Sequence, residues 1–175
     1  KESPDGYTRE VEARLLVNRP NLMVRPICVG RPTVTGTTPT SGRIDIVRNY
    51  PIKIFFSNKM EDSSFLFDDG SSRKDGLFKN ISITGLFGDP STSEFRSYEE
   101  YYNPPTLNTT GSGNGKILTL SPVPGNLPPS YSVIRVTVKK DVKDETALSM
   151  AQDYIFDFTL GNSTDTKGPI MGAIQ

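Results

Sequence analysis

Hydrophobic residues stand on alternate positions in several short runs of this chain. In PIKIFFSNKMEDSS, Ile52, Ile54 and Phe56 alternate with Lys53, and Phe55 breaks the polar run. NISITGLF sets Ile81 and Ile83 on one face, and KILTLSPV does the same with Leu118 and Leu120. In YSVIRVTVKK, Ile134, Val136 and Val138 alternate with Arg135 and Thr137. DYIFDFTL opposes Tyr154, Phe156, Phe158 and Leu160 to Ile155, Asp157 and Thr159. A period of two is the signature of a strand, because successive side chains point to opposite faces. No run shows the pattern of a strong amphipathic helix. With a short β segment in RPTVTGTTPTSG and one strand near residues 99–107, the count reaches about seven strands. Such strands pair into two antiparallel sheets whose apolar faces bury each other.

Between the runs the chain is punctuated. Its 14 prolines and 15 glycines are spread along it as turn formers. SNKMEDSSFLFDDGSSRKDG reads as a loop, TTGSGNGK as a hairpin connection, and VKDETALSMAQ as a loop or a single helical turn. Met60 follows a strand that must turn at the sandwich end. A flexible thioether suits folding back to plug that end, with the acids beyond it facing water. A metal-binding Met60 would need a second soft ligand nearby in sequence, and there is none. Residues 1–30 are read as two short strands or as a helix through Val11, Leu15 and Leu16. Strands are favoured because Val17, Pro20, Val24 and Pro26 work against a continuing helix. That segment is too short for its own core, so it is an extension or the tail of a preceding domain.

Composition narrows the chemistry. Lys plus Arg equals Asp plus Glu at 20 each, so no net field draws the chain to nucleic acid or anionic lipid. The chain has no histidine, which removes Ser-His-Asp and Cys-His catalysis and His-ligated zinc. Cys28 is the only cysteine, so it reads as a small buried hydrophobe. No apolar run approaches membrane-spanning length, so no membrane insertion is expected. The start KESPDG has neither an initiator methionine nor a signal peptide, as expected of a mature or excised fragment.

The order of the pieces resembles a known family. TPTSG (38–42), IKIFFSNKMEDSS (52–64), ILTLSP (117–122), YSVIRVTV (131–138), VKDETALSM (142–150) and YIFDFTL (154–160) follow one another as in bacterial Ig-like modules of the surface-layer-protein type. DTKGPI (165–170) looks like the linker between such modules. Two departures are a Lys-Asp loop without the Gly-Asn pair that often follows, and a longer middle. The resemblance implies an all-β, Ig-like antiparallel sandwich over residues 31–161, an N-terminal extension over 1–30 and a linker over 162–175. It further implies a non-catalytic module of a bacterial cell-surface or secreted protein, extracellular or in the cell envelope, acting as spacer or adhesion domain. The alternative is an accessory, carbohydrate-contacting domain of a secreted hydrolase. Expected partners are neighbouring domains of the same chain and a surface protein or glycan, with no cofactor.

Several side-chain groups invite chemistry. Asp68, Asp69 and Asp75 sit in a glycine-containing loop, the raw material of a calcium site. The loop matches no EF-hand spacing, and Arg73 and Lys74 would repel the ion, so a solvated loop is the plainer reading. Tyr98, Tyr101 and Tyr102 form a candidate interaction patch for protein or sugar. The competing reading is half-buried edge aromatics. Glu99 and Glu100 would point to opposite faces of an extended segment, which argues against a glycosidase pair. Gly111, Gly113 and Gly115 lack the strand–loop–helix setting of a phosphate loop. Tyr131 is expected to bond backbone at a sandwich corner. Asp141, Lys143 and Asp144 are expected to order the loop that follows them.

Overall fold

The computed structural model describes residues 30–87 and 94–164. The expectations for the N-terminal extension, for Cys28 and for DTKGPI lie outside the described residues. Within them the fold is all β. One sheet contains β1 (Val34–Thr38), β2 (Ile52–Phe56), β7 (Thr106–Leu107) and β8 (Ile117–Leu120) in the order β1-β2-β8-β7. The other contains β5 (Ile81–Leu86), β6 (Arg96–Ser97), β9 (Val133–Val138) and β10 (Tyr154–Thr159) in the order β10-β9-β5-β6. All pairings within the two sheets are antiparallel. This is the Ig-like division of strands between two sheets.

Register follows from the alternation. Ile81, Val138 and Tyr154 lie in one row across β5, β9 and β10, and Ile83, Val136 and Phe156 in the next. In the facing sheet Ile52 pairs with Leu120 and Ile54 with Leu118. These residues, Tyr154 excepted, are buried and form the core. Slipping any strand by one position would turn its apolar set to water, so register and burial enforce each other. Each such side chain contributes about 1.5–3 kcal/mol.

Between β1 and β2 the chain changes sheets. Gly42 and Ile46 donate backbone hydrogen bonds to Asp157 and Thr159 of β10, and Thr159 donates back to Arg43. Ile46 pairs in parallel with Leu160. At the opposite end of β10, the segment after β2 lies against the β9–β10 loop. Glu61 N donates to Lys143 O at 2.9 Å, and Met60 pairs with Asp144. Met60 is 2% exposed and packs in the core at this pole, while Asp62 faces solvent.

Two stretches differ from the sequence reading. Residues 99–107 do not form one strand. A 3-10 turn spans Glu99–Tyr101, Tyr102 makes a single antiparallel bridge with Pro122, and the only strand is Thr106–Leu107, in the other sheet from β6. Backbone bonds from Tyr101 to Tyr98 and from Tyr102 to Glu99 close the turn. The loop after Met60 also holds structure. A 3-10 turn, Asp62–Phe65, buries Phe65, and a hairpin joins β3 (Arg73–Lys74) to β4 (Leu77–Phe78). Its two-residue turn is Asp75 and Gly76, with φ of 52° and 79°. Both residues are left-handed, as a type I′ turn requires, and Asp-Gly is a strong signal for it. TTGSGNGK does connect an antiparallel pair, β7 and β8, with a 3-10 turn at Gly111–Gly113.

Candidate functional site

The tyrosine-rich segment is built on a glycine. Gly85 faces the sandwich interior, and a Cβ there would come within 2.1 Å of the Tyr98 ring. Tyr98 therefore fills the place of a side chain that β5 lacks. Its N–H donates to Ile83 O at 2.9 Å, and its hydroxyl lies 3.2 Å from Ser132 Oγ. Tyr101 packs edge-to-face on Tyr98, with ring centroids 5.1 Å apart at 73°. Such a pair gains about 0.5–1.5 kcal/mol beyond its burial.

Glu99 locks the turn from below. It is 2% exposed. One carboxylate oxygen accepts from Phe78 N–H, and the other accepts from Ile83 N–H at 3.3 Å. Burial raises its pKa above the ordinary value, and the two amides with the Arg73 charge only partly offset that. Arg73 Nη2 donates to the carbonyls of Glu99 and Tyr102, each at 2.6 Å. Its guanidinium lies 4.6 Å from the Phe78 ring centroid. The β3–β4 hairpin thus holds the turn to β5.

Of the three candidate tyrosines, Tyr98 and Tyr102 are buried and Tyr101 is half-buried. They do not share one exposed face. Burial raises the Tyr102 phenol well above its usual range. Tyr101 is raised by burial first and then by the neighbouring Glu100 carboxylate, to which it hydrogen-bonds. Beside Tyr101 opens a concavity of about 500 Å³, which Phe87, Arg96 and Glu100 also line. Glu99 faces the core and Glu100 faces solvent.

The acidic loop does not converge. Asp68 lies 3.7 Å from Lys79 Nζ, Asp69 accepts from Ser71 N and Oγ, and Asp75 occupies the hairpin turn. Those Ser71 bonds lower the Asp69 pKa. Among the described residues no three metal-ligating side chains gather. Tyr131 departs from expectation. It is 65% exposed at φ 62°. The corner is held by Ser132 instead, which donates to Pro129 O and meets the Tyr98 hydroxyl.

Sequence reasoning identified Asp144 as a loop organiser and missed its burial, 1% exposed. Its Oδ1 accepts from Thr146 N, Thr146 Oγ1 and Leu148 N, and its Oδ2 accepts from Asn58 Nδ2 at 2.7 Å. Burial pushes its pKa up, yet the donors outweigh burial and leave it below the ordinary value. The roles of Arg73 and Gly85 were also missed. Arg73 carries no local signal. An isolated glycine in a strand pattern marks close approach by another group, as at Gly85.

Residues 29–160 match the family described as bacterial Ig-like domain. The chain is a bacterial Ig-like domain protein. Among solved structures it is similar to surface layer protein SbsC, domains 1–6, with 15% identity and a TM-score of 0.44, covering 76% of this chain. It is likewise similar to the S-layer protein rSbsC(31-844), with 15% identity and a TM-score of 0.43, covering 75% of this chain. The chain spans 14% of the length of either one. No curated protein matches it.

Proposed function

We propose that this bacterial Ig-like domain is a non-catalytic module of a cell-surface or secreted protein, set in series between neighbouring domains. The observation that carries this reading is where the chain enters and leaves the sandwich. Thr33, just before β1, pairs with Ser57 beside the β9–β10 loop. Leu160 and Ser163, just after β10, pair with Ser132 and Arg48 at the other end of the strands. Entry and exit at opposite poles suit a spacer that transmits position along a chain of domains. The buried carboxylates fit a structural role, since Glu99 and Asp144 spend their oxygens on backbone and side-chain donors of the fold. Among the described residues, no helix is long and apolar enough to cross a membrane.

A second reading, an accessory carbohydrate-contacting domain of a secreted hydrolase, draws support from the concavity beside Tyr101. Antibody raised against the sandwich tests the location common to both. Labelling of intact cells, or recovery from culture medium, is expected. Labelling only after lysis would exclude a surface or secreted module.

A further inference from the structure

We propose that the concavity beside β6 binds a neutral, hydroxyl-rich saccharide through the Tyr101 ring and the polar groups around it. This rests on the second reading above, a carbohydrate-contacting domain, and names its site and ligand class.

The first support is the aromatic wall. The half-buried Tyr101 ring and Phe87, 57% exposed, both line the concavity. A pyranose has an apolar face of C–H groups, and such faces pack on aromatic rings. Tyrosine adds a hydroxyl handle to a rigid ring with little side-chain entropy to lose.

The second is the rim. Glu94 and Glu100 supply carboxylate acceptors, Arg96 a fork of donors, and Ser97 a hydroxyl of either sense. Glu94, Arg96, Ser97 and Glu100 are solvent-exposed. Vicinal sugar hydroxyls need acceptors and donors at close quarters, and these four side chains offer both. Two carboxylates against one guanidinium leave the rim net negative. A uronate, phosphate or sulfate is therefore disfavoured relative to a neutral ring.

The third is rigidity. Tyr101 and Glu100 sit on the turn that Glu99 fastens to β4 and β5, and that Arg73 clamps through two carbonyls. Tyr98, which also lines the concavity, fills the space left by Gly85 and packs edge-to-face with the Tyr101 ring. A surface ordered before binding keeps more of its contact energy as affinity. This gives a purpose to a buried carboxylate that burial otherwise disfavours: Glu99 is a positioning residue for the site.

The test is an NMR titration of the 15N-labelled chain with four probes: cellohexaose, xylohexaose, oligogalacturonate, and an extended Thr-Val decapeptide. At least one neutral hexasaccharide is expected to shift the amides of residues 85–87 and 94–101, with Kd below about 1 mM. Tyr101→Ala is expected to weaken that binding about tenfold or more, the equivalent of 1.4 kcal/mol. Phe87→Ala, at an exposed ring, is expected to do likewise and serves if Tyr101→Ala fails to fold. Glu99→Gln should weaken binding while leaving the exposed rim chemically intact. The proposal is overturned if neither neutral sugar shifts those amides at about 10 mM. Tighter binding of oligogalacturonate, shifts from the decapeptide alone, or unchanged affinity in both aromatic variants would also overturn it. Those results leave cell-surface labelling untouched, so failure here is distinct from failure of the surface-module reading.

Discussion

Glu99 and Asp144 are both carboxylates almost closed off from solvent, 2% and 1% exposed, and their protonation equilibria move in opposite directions. Glu99 faces two backbone amides. Asp144 takes four bonds, from Thr146 N–H and hydroxyl, Leu148 N–H and the Asn58 amide. Burial opposes the charge at both. Only at Asp144 do the donors prevail. Depth alone does not set the state of a buried acid here, and the supply of donors does. The two also hold different things. Asp144 organises the β9–β10 loop at the pole where the chain enters, and Glu99 joins a hairpin, a strand and a turn at the candidate site.

The largest effect expected from this contrast is at Asp144. Asp144→Ala removes four hydrogen bonds and takes its acceptor from the part-buried Leu148 N–H. The expected loss is about 2–4 kcal/mol in urea denaturation. A loss below about 1 kcal/mol would mean that the donors are satisfied elsewhere and that the loop does not depend on this carboxylate. Glu99→Gln should cost less, about 1–2 kcal/mol. The new amide NH2 faces an N–H it cannot accept from, which destabilises. Relief of a poorly solvated charge offsets part of that. A loss at Glu99 equal to that at Asp144 would break the comparison.

Acidity separates the two more sharply than mutation at a single pH. The Asp144 pKa is lower in the folded state than in the unfolded chain. Its stabilisation is thus complete above the unfolded carboxylate pKa, about 3.9, and is lost as pH falls toward the folded value. The Glu99 pKa is raised. Its favourable contribution is complete below about 4.3 and is lost as pH rises through the folded value. On acidification, the advantage of the wild type over Asp144→Ala should therefore shrink, while its advantage over Glu99→Gln should grow. Urea midpoints of the three proteins measured from neutral pH to about pH 2.5 check both slopes. Slopes of the same sign would show that one assignment is wrong.

The two carboxylates also mark where sequence reading succeeds. The rows Ile83, Val136, Phe156 and Ile81, Val138 were visible because a half-buried strand must alternate. Asp144 was visible as a loop organiser because its partners, Thr146 and Leu148, are local. Glu99 was not. Its burial depends on Arg73 and Phe78, which arrive on a separate hairpin, and no local pattern distinguishes it from Glu100. The hairpin was within reach, since Asp75 and Gly76 spell a type I′ turn. Gly85 interrupts the alternation of β5, and the Tyr98 ring that completes it comes from beyond β6. The site around Tyr101 depends on such long-range substitutions, so the tyrosines were found by composition and their unequal burial was not.

The smallest effect comes from the residue beside Asp144. Glu145 lies 2.5 Å from Lys59 Nζ, and the two side chains are 52% and 44% exposed. It carries the same charge on the same loop with a full ion-pair partner, and it lacks the enclosed donors. Water already solvates both ions, and salt screens what attraction is left. Glu145→Gln is therefore expected to change stability by no more than about 0.5 kcal/mol, with the difference fading further in about 0.5 M NaCl. Thermal and urea unfolding at two salt concentrations would measure it. A loss above about 1 kcal/mol would show that ion pairing, and not enclosed donors, gives a carboxylate on this loop its value.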